Sequence, residues 1–133
     1  MATIQKIFLL AASLSGAMAV MLGAMGAHML KDKLNYWEMN SFETAVRYQM
    51  YHTLALLALV LIYNYIPSRL IEFSGYSFML GIALFSGSLY FISLKSILLI
   101  GNASILGPIT PIGGLILIVG WLLVGAAVLA NWK

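Results

Sequence analysis

The stretch IFLLAASLSGAMAVMLGAMGA, from Ile7 to Ala27, contains no charged residue. A helix needs about 20 mainly apolar residues to cross a hydrocarbon core roughly 30 Å thick, so this run alone is long enough to span a bilayer. Lys6 before it and Ala17-Met18-Ala19 within it imitate a secretory leader. The run exceeds the ~7–15 residues of a leader's apolar region. It is therefore read as a retained span.

Working outward, Tyr48 to Ile66 contains one ionisable histidine, His52, and Phe73 to Leu94 is again uncharged. After Lys95 no charge follows until Lys133, which is too long for one crossing. Gly101-Asn102 and Gly107-Pro108-Ile109-Thr110-Pro111 supply the break, because these residues favour turns and proline lacks a backbone donor. The expectation is one all-α domain, residues 1–133, a four-transmembrane-helix bundle with spans at about 7–28, 46–66, 73–95 and 111–131.

Composition agrees with that pattern. Hydrophobic residues make up 62% of the chain and charged residues 8%, against roughly a quarter charged in soluble domains. So little charge cannot coat a water-facing surface, and the partner for most of it must be the lipid bilayer. The net charge of +3 comes from basic residues spread along the chain. A nucleic-acid footprint needs a basic stripe, so that partner is excluded. With no cysteine, disulfides, thiolate catalysis and Cys-ligated metals are excluded as well.

An even number of spans puts both termini on one side and the 31–47 and 95–111 connections on the other. Counting positive residues gives Lys6, Arg69 and Lys133 against Lys31, Lys33, Arg47 and Lys95, a near tie that leaves orientation open. In the first connection, Asn35 with Glu38 and Asn40 with Glu43 both resemble helix starts. A short interfacial helix is expected near Asn35–Met39, with Tyr36 and Trp37 at headgroup level, followed by a second helix from about Ser41. Counting back from Ile66 at about 1.5 Å per residue puts Arg47 at the lipid boundary, Glu43 a turn outside and His52 about 7 Å inside.

Span one carries small residues at four-residue spacing, Ser15, Ala19, Gly23 and Ala27, with Ala12, Gly16 and Ala24 beside them. Small residues let helices approach closely in lipid. This face predicts that span one is the central packing helix of the bundle; a homo-oligomer interface is the sharper alternative. Gly113, Gly114, Gly120 and Gly125 make span four its expected partner.

His28 and His52 fall on the same membrane side and invite a haem or metal reading. Glu43 and His52, nine residues apart, face opposite ways on one helix, so they cannot share an ion. Structural histidines are the expected reading, with no metal and no cofactor. Glu43 and Arg47 stand at i, i+4 as an ion pair, although Arg47 is also placed to snorkel or meet a lipid phosphate. Ser86, Ser88 and Tyr90 on span three read as interhelical hydrogen-bond partners. His28, Glu43, Arg47, Tyr48, Tyr51, His52, Ser88, Lys95, Asn102 and Thr110 all gather toward one end of the bundle. Any polar site is expected there.

Four stretches carry a resemblance to a known family: Gly23-Ala24-Met25-Gly26-Ala27-His28; Phe42-Glu43-Thr44-Ala45-Val46-Arg47-Tyr48-Gln49-Met50-Tyr51-His52; Phe85-Ser86-Gly87-Ser88-Leu89-Tyr90; and Leu106-Gly107-Pro108-Ile109-Thr110-Pro111-Ile112-Gly113-Gly114. In this order they resemble the family called domain of unknown function 423, over essentially the whole chain. The resemblance implies a multi-pass protein of the bacterial inner membrane and supplies no mechanism.

Three functional classes follow from these readings. The first is a non-enzymatic membrane protein that acts as an oligomer or as an accessory subunit of a larger membrane complex. The second is a binding or transport module in which His28, Glu43, Arg47, Tyr48 and His52 line one polar pocket for a lipid headgroup, ion or cofactor. An enzyme comes third, because no nucleophile–base set, acidic pair or phosphate loop is visible.

Overall fold

The computed structural model describes residues 1–99 and 106–132. Four helices account for most of them: α1 (Thr3–Met25), α2 (Tyr36–Ile62), α3 (Arg69–Leu94) and α4 (Ile109–Ala130). α1 runs on into a π-helical turn, Gly26–Leu30. Each helix is long and apolar enough to cross a membrane, and the described residues contain no strand. Gly101 and Asn102, expected to break the chain between spans three and four, lie outside the described residues. α4 begins directly after Pro108, with Pro111 in its first turn, where a missing N–H leaves no intrahelical bond unmade.

The separate interfacial helix does not form. α2 is one continuous helix from Tyr36, and the reason is visible at the two candidate starts. Asn35 Oδ1 accepts from the N–H groups of Trp37 and Glu38 at 3.0 Å each, and Glu38 Oε2 accepts from Asn35 N–H at 3.1 Å. At the second start, Ser41 Oγ donates to Trp37 O and Thr44 Oγ1 donates to Asn40 O. Hydroxyls that bond back to the i−4 carbonyl belong to a helix interior rather than to a cap. Burial of Phe42 and Ala45 then ties this outer stretch to the rest of the bundle.

The helices pack in chain order: α1 on α2, α2 on α3, and α3 on α4 in the most extensive interface. This corrects two expectations. α1 is a flank and not the centre, and α4 packs against α3 rather than against α1. The small residues of α1 meet α2 instead. Ala19 is buried, a side chain on Gly16 would touch Thr53, and one on Gly23 would touch Val46. α1 reaches α3 chiefly through Phe8, whose ring occupies the space above Gly75 and stands edge-on to Tyr76 at 5.6 Å.

The α3–α4 seam is closer still. A Cβ on Gly113 would lie 2.8 Å from the Phe85 Cα and against the Phe85 backbone N, so the two backbones themselves are in contact there. Gly81 makes room for Leu117 and Gly120 for Phe78 in the same way. Hydroxyls lock the seams: Ser74 Oγ donates to Gly120 O at 2.8 Å, and Ser86 Oγ to Ala45 O at 2.8 Å. Interhelical hydrogen bonds of this kind contribute about 0.6 kcal/mol each. Van der Waals contact between the backbones must therefore supply most of the association.

Candidate functional site: an intramembrane groove

The polar residues of the α2 interior come first, because they set what remains for a ligand. Gln49 is 3% exposed. Its Nε2 donates to Ser15 O at 2.9 Å, and its Oε1 accepts from Tyr90 OH at 2.7 Å. Ser15 Oγ and Thr53 Oγ1 pair at 2.7 Å. Ser15, Gln49, Thr53 and Tyr90 thus bind α1, α2 and α3 together inside the bilayer. A polar atom in hydrocarbon costs several kcal/mol when unpaired. Among the described residues every buried side-chain polar atom has a partner.

His52 belongs to a second connection, from α2 to α4. It is 6% exposed, with Nδ1 2.8 Å from Tyr48 O and Nε2 3.2 Å from the Trp121 indole Nε1. Indole can only donate, so Nε2 must accept and the ring proton must sit on Nδ1. The imidazole is neutral, with both nitrogens engaged. Phe78 flanks the bridge on one side, 5.5 Å from His52 and 5.2 Å from Trp121 between ring centroids.

This bridge closes the inner end of a half-open groove between α2 and α4, floored by α3. Tyr48, Tyr51 and His52 form one wall, Phe85 the floor, and Gly114, Leu117, Ile118 and Trp121 the other wall, around a volume of about 460 Å³. Tyr48 lies over Phe85 with ring centroids 4.7 Å apart. Gly114 keeps the α4 wall low, because a side chain there would meet the Phe85 ring at 3.5 Å. The lining is mostly apolar, with Tyr48, Tyr51, His52 and the Trp121 indole as its polar members.

The single polar pocket expected from His28, Glu43, Arg47, Tyr48 and His52 is not assembled. Glu43 and Arg47 line a different groove of about 300 Å³ beside α1, with Gly23, Gly26, Ala27, Phe42 and Val46. There Arg47 Nη2 lies 3.6 Å from Glu43 Oε2 and Arg47 Nε donates to Glu43 O at 3.3 Å. His28 is exposed on the π-helical turn. α2 divides the group by helical phase, because its 43–47–51 line and its 44–48–52 line point in different directions. Among the described residues no three His, Asp or Glu side chains come within reach of one metal ion.

The other expected residues have local partners. Ser88 and Thr110 pair at 2.6 Å across α3 and α4, and Gly113 and Gly114 sit against Phe85 of α3. Lys95, at the end of α3, borders a shallow surface depression with Asn35, Trp37, Glu38, Ser41, Ile92 and Ser93. Ala27 borders the Glu43–Arg47 groove, and Asn102 is outside the described residues. Gln49, Thr53 and Trp121 are the residues that sequence reasoning passed over. A signal existed for each: Gln49 and Thr53 stand at i, i+4 on the face of buried Ala45 and Leu56. Trp121 is twelve residues into α4, where an indole N–H needs an acceptor.

Four helices of membrane-crossing length around an apolar core, with every buried polar side chain among the described residues hydrogen-bonded, define a small multi-pass integral membrane protein. The chain belongs to the family described as protein of unknown function DUF423, whose profile matches residues 22–114. A UPF0382 membrane protein of Staphylococcus epidermidis is 44% identical over 124 residues, covering 93% of this chain and 96% of the relative. The UPF0382 membrane protein YwdK of Bacillus subtilis is 36% identical over 123 residues, 92% of this chain and 95% of its own. The UPF0382 inner membrane protein YgdD of Escherichia coli K12 is 37% identical over 123 residues, with coverages of 91% and 89%. No solved structure matches. The chain is thus a multi-pass protein of the bacterial plasma membrane.

Proposed function

We propose that this chain works without catalysis, as a membrane-embedded binding module whose groove between α2 and α4 takes another component of the bilayer. One observation carries the reading. The buried side-chain polar atoms among the described residues all have hydrogen-bond partners already, whereas the α2–α4 groove is a shaped, open surface with Tyr48 and Tyr51 at its edge. Helices here pack in sequence, α1 to α2 to α3 to α4, which leaves α2 and α4 apart and the space between them available. A small accessory subunit that docks on a larger membrane complex is compatible with this geometry. The small-residue line of α1 offers such a complex little, since it already packs on α2.

Gentle extraction into detergent followed by native mass spectrometry tests the proposal. A small-molecule adduct is expected on the wild-type chain, and it should be lost from Gly114→Leu, whose side chain would occupy the groove. A chain that carries no adduct, or one whose adduct is indifferent to Gly114→Leu, would overturn it. The same spectra report the number of copies and any protein partner.

A further inference from the structure

We infer that the second groove, between α1 and α2, holds the head of a phospholipid of the phosphatidylethanolamine type, with its phosphate at Arg47 and its ammonium at Glu43. This site is separate from the α2–α4 groove and does not depend on it. Its lining sets two charges against a nearly bare wall. Phe42, Glu43, Val46 and Arg47 come from α2, and Gly23, Gly26 and Ala27 face them from the other side. The volume of about 300 Å³ is at the small end for ligand pockets. It suits a headgroup rather than a whole acyl chain.

The bare wall has a structural cause. α1 gives way at Gly26 to the π-helical turn, and such turns occur frequently at functional sites. Here the turn brings Gly26 so close to α2 that a Cβ on it would lie 3.1 Å from the Phe42 ring. Ala27, the next residue, is an exposed part of the lining.

The two charges are close but poorly matched to each other. Arg47 Nη2 lies 3.6 Å from Glu43 Oε2, and both side chains are more than half exposed. That is beyond hydrogen-bond length, and a pair so exposed is held only weakly. Among the described residues, Arg47 makes one side-chain hydrogen bond, from Nε to the Glu43 carbonyl oxygen. Its terminal N–H groups and the Glu43 carboxylate are therefore open to a ligand.

Such a ligand must meet a cation and an anion side by side. An anionic phospholipid satisfies Arg47 and is repelled by Glu43. A phosphate joined to a primary ammonium by a short chain satisfies both. The guanidinium takes phosphate oxygens in a two-pronged geometry, and the ammonium donates N–H groups to the carboxylate. Depth gives the same order. Counted along α2, Arg47 lies at the lipid boundary and Glu43 one turn farther out. Gly23 and Val46 form a close pair beside Arg47, an apolar inner edge from which the glycerol leads into the bilayer.

Half-exposed charges release their lipid on delipidation, so the test adds lipid back. The delipidated full chain in detergent is titrated with defined phospholipids and read by native mass spectrometry. Phosphatidylethanolamine is expected to bind about threefold more tightly than phosphatidylcholine or phosphatidylglycerol of the same acyl chains, as one exposed ion pair allows. Phosphatidylcholine keeps the phosphate, but its quaternary ammonium has no N–H to donate. Arg47→Gln should weaken the binding of phosphatidylethanolamine about fivefold, as for one cation at a lipid surface. Glu43→Gln should abolish the preference by weakening phosphatidylethanolamine and strengthening phosphatidylglycerol. Ala27→Phe should fill the groove and block all three. Arg69→Gln removes a largely exposed cation at the other end of the bundle and should change nothing. Equal binding of the three lipids, or tighter binding of phosphatidylglycerol, would overturn the inference. So would a preference that survives Glu43→Gln, or an equal loss from Arg69→Gln and Arg47→Gln with helicity unchanged.

Discussion

Trp121 brings one N–H into the bilayer, and His52 is placed to accept it. The pairing decides which nitrogen of His52 carries the proton and fastens α2 to α4, two helices with little other contact. Trp121→Phe keeps the ring and removes the donor. We expect it to lower stability by about 0.6–1.7 kcal/mol, from the average to the largest value typical of intramembrane hydrogen bonds, in a reversible detergent unfolding titration. Gln49 is more connected, since it links Ser15 on α1 with Tyr90 on α3. Gln49→Leu should cost about 1–2 kcal/mol. Tyr90→Phe added to Gln49→Leu should cost less than it does alone, because its acceptor has already gone. Additive losses in that double-mutant cycle would contradict the shared bond.

At the scale of the helix, glycine separates contact from open space. A Cβ on Gly113 would press on the Phe85 backbone, whereas one on Gly125 would meet nothing within 4 Å. Gly113→Ala should therefore destabilise the protein by about 1–3 kcal/mol, as overpacking does, and Gly125→Ala should be neutral or stabilising by up to about 1 kcal/mol. Both glycines lie on α4, so the comparison holds helix propensity constant. The start of α2 gives a second element-level expectation. Asn35→Ala removes the acceptor for Trp37 and Glu38 N–H and should cost about 1 kcal/mol. Hydrogen exchange should quicken at Trp37, Glu38 and Met39 while the membrane-embedded part of α2 stays protected. Slower exchange throughout, or no change, would mean that the cap does not hold this turn.

For the whole molecule, four crossings place both ends of the chain on one side, and the absence of cysteine makes this easy to check. A cysteine at Ala2 or at Tyr65 should be labelled by an impermeant maleimide from one face of the membrane, and one at Lys33 from the other. Labelling of all three from one face would refute the four-span topology. The α2–α4 groove also belongs to this scale, because it exists only where three helices meet.

The membrane class and the number of crossings were legible along the chain. Apolar runs of span length between isolated charges answer to the bilayer's thickness, which is a local and one-dimensional constraint. The family was legible too, in four short ordered stretches of the kind that ends with Gly113-Gly114. Whether Asn40 would cap a new helix was not, because both candidate starts satisfy the same pattern. The choice fell to Phe42 and Ala45, whose burial needs neighbours from other helices. The site divided along the same line. Helical phase already separated Glu43 from His52 within α2, and it did so by geometry internal to one helix. Which helix answered each face was decided only by tertiary packing. Small residues permit close approach without naming a partner, so the line on α1 met α2, Gly113 met α3, and His52 found Trp121 across a groove that the sequence does not contain.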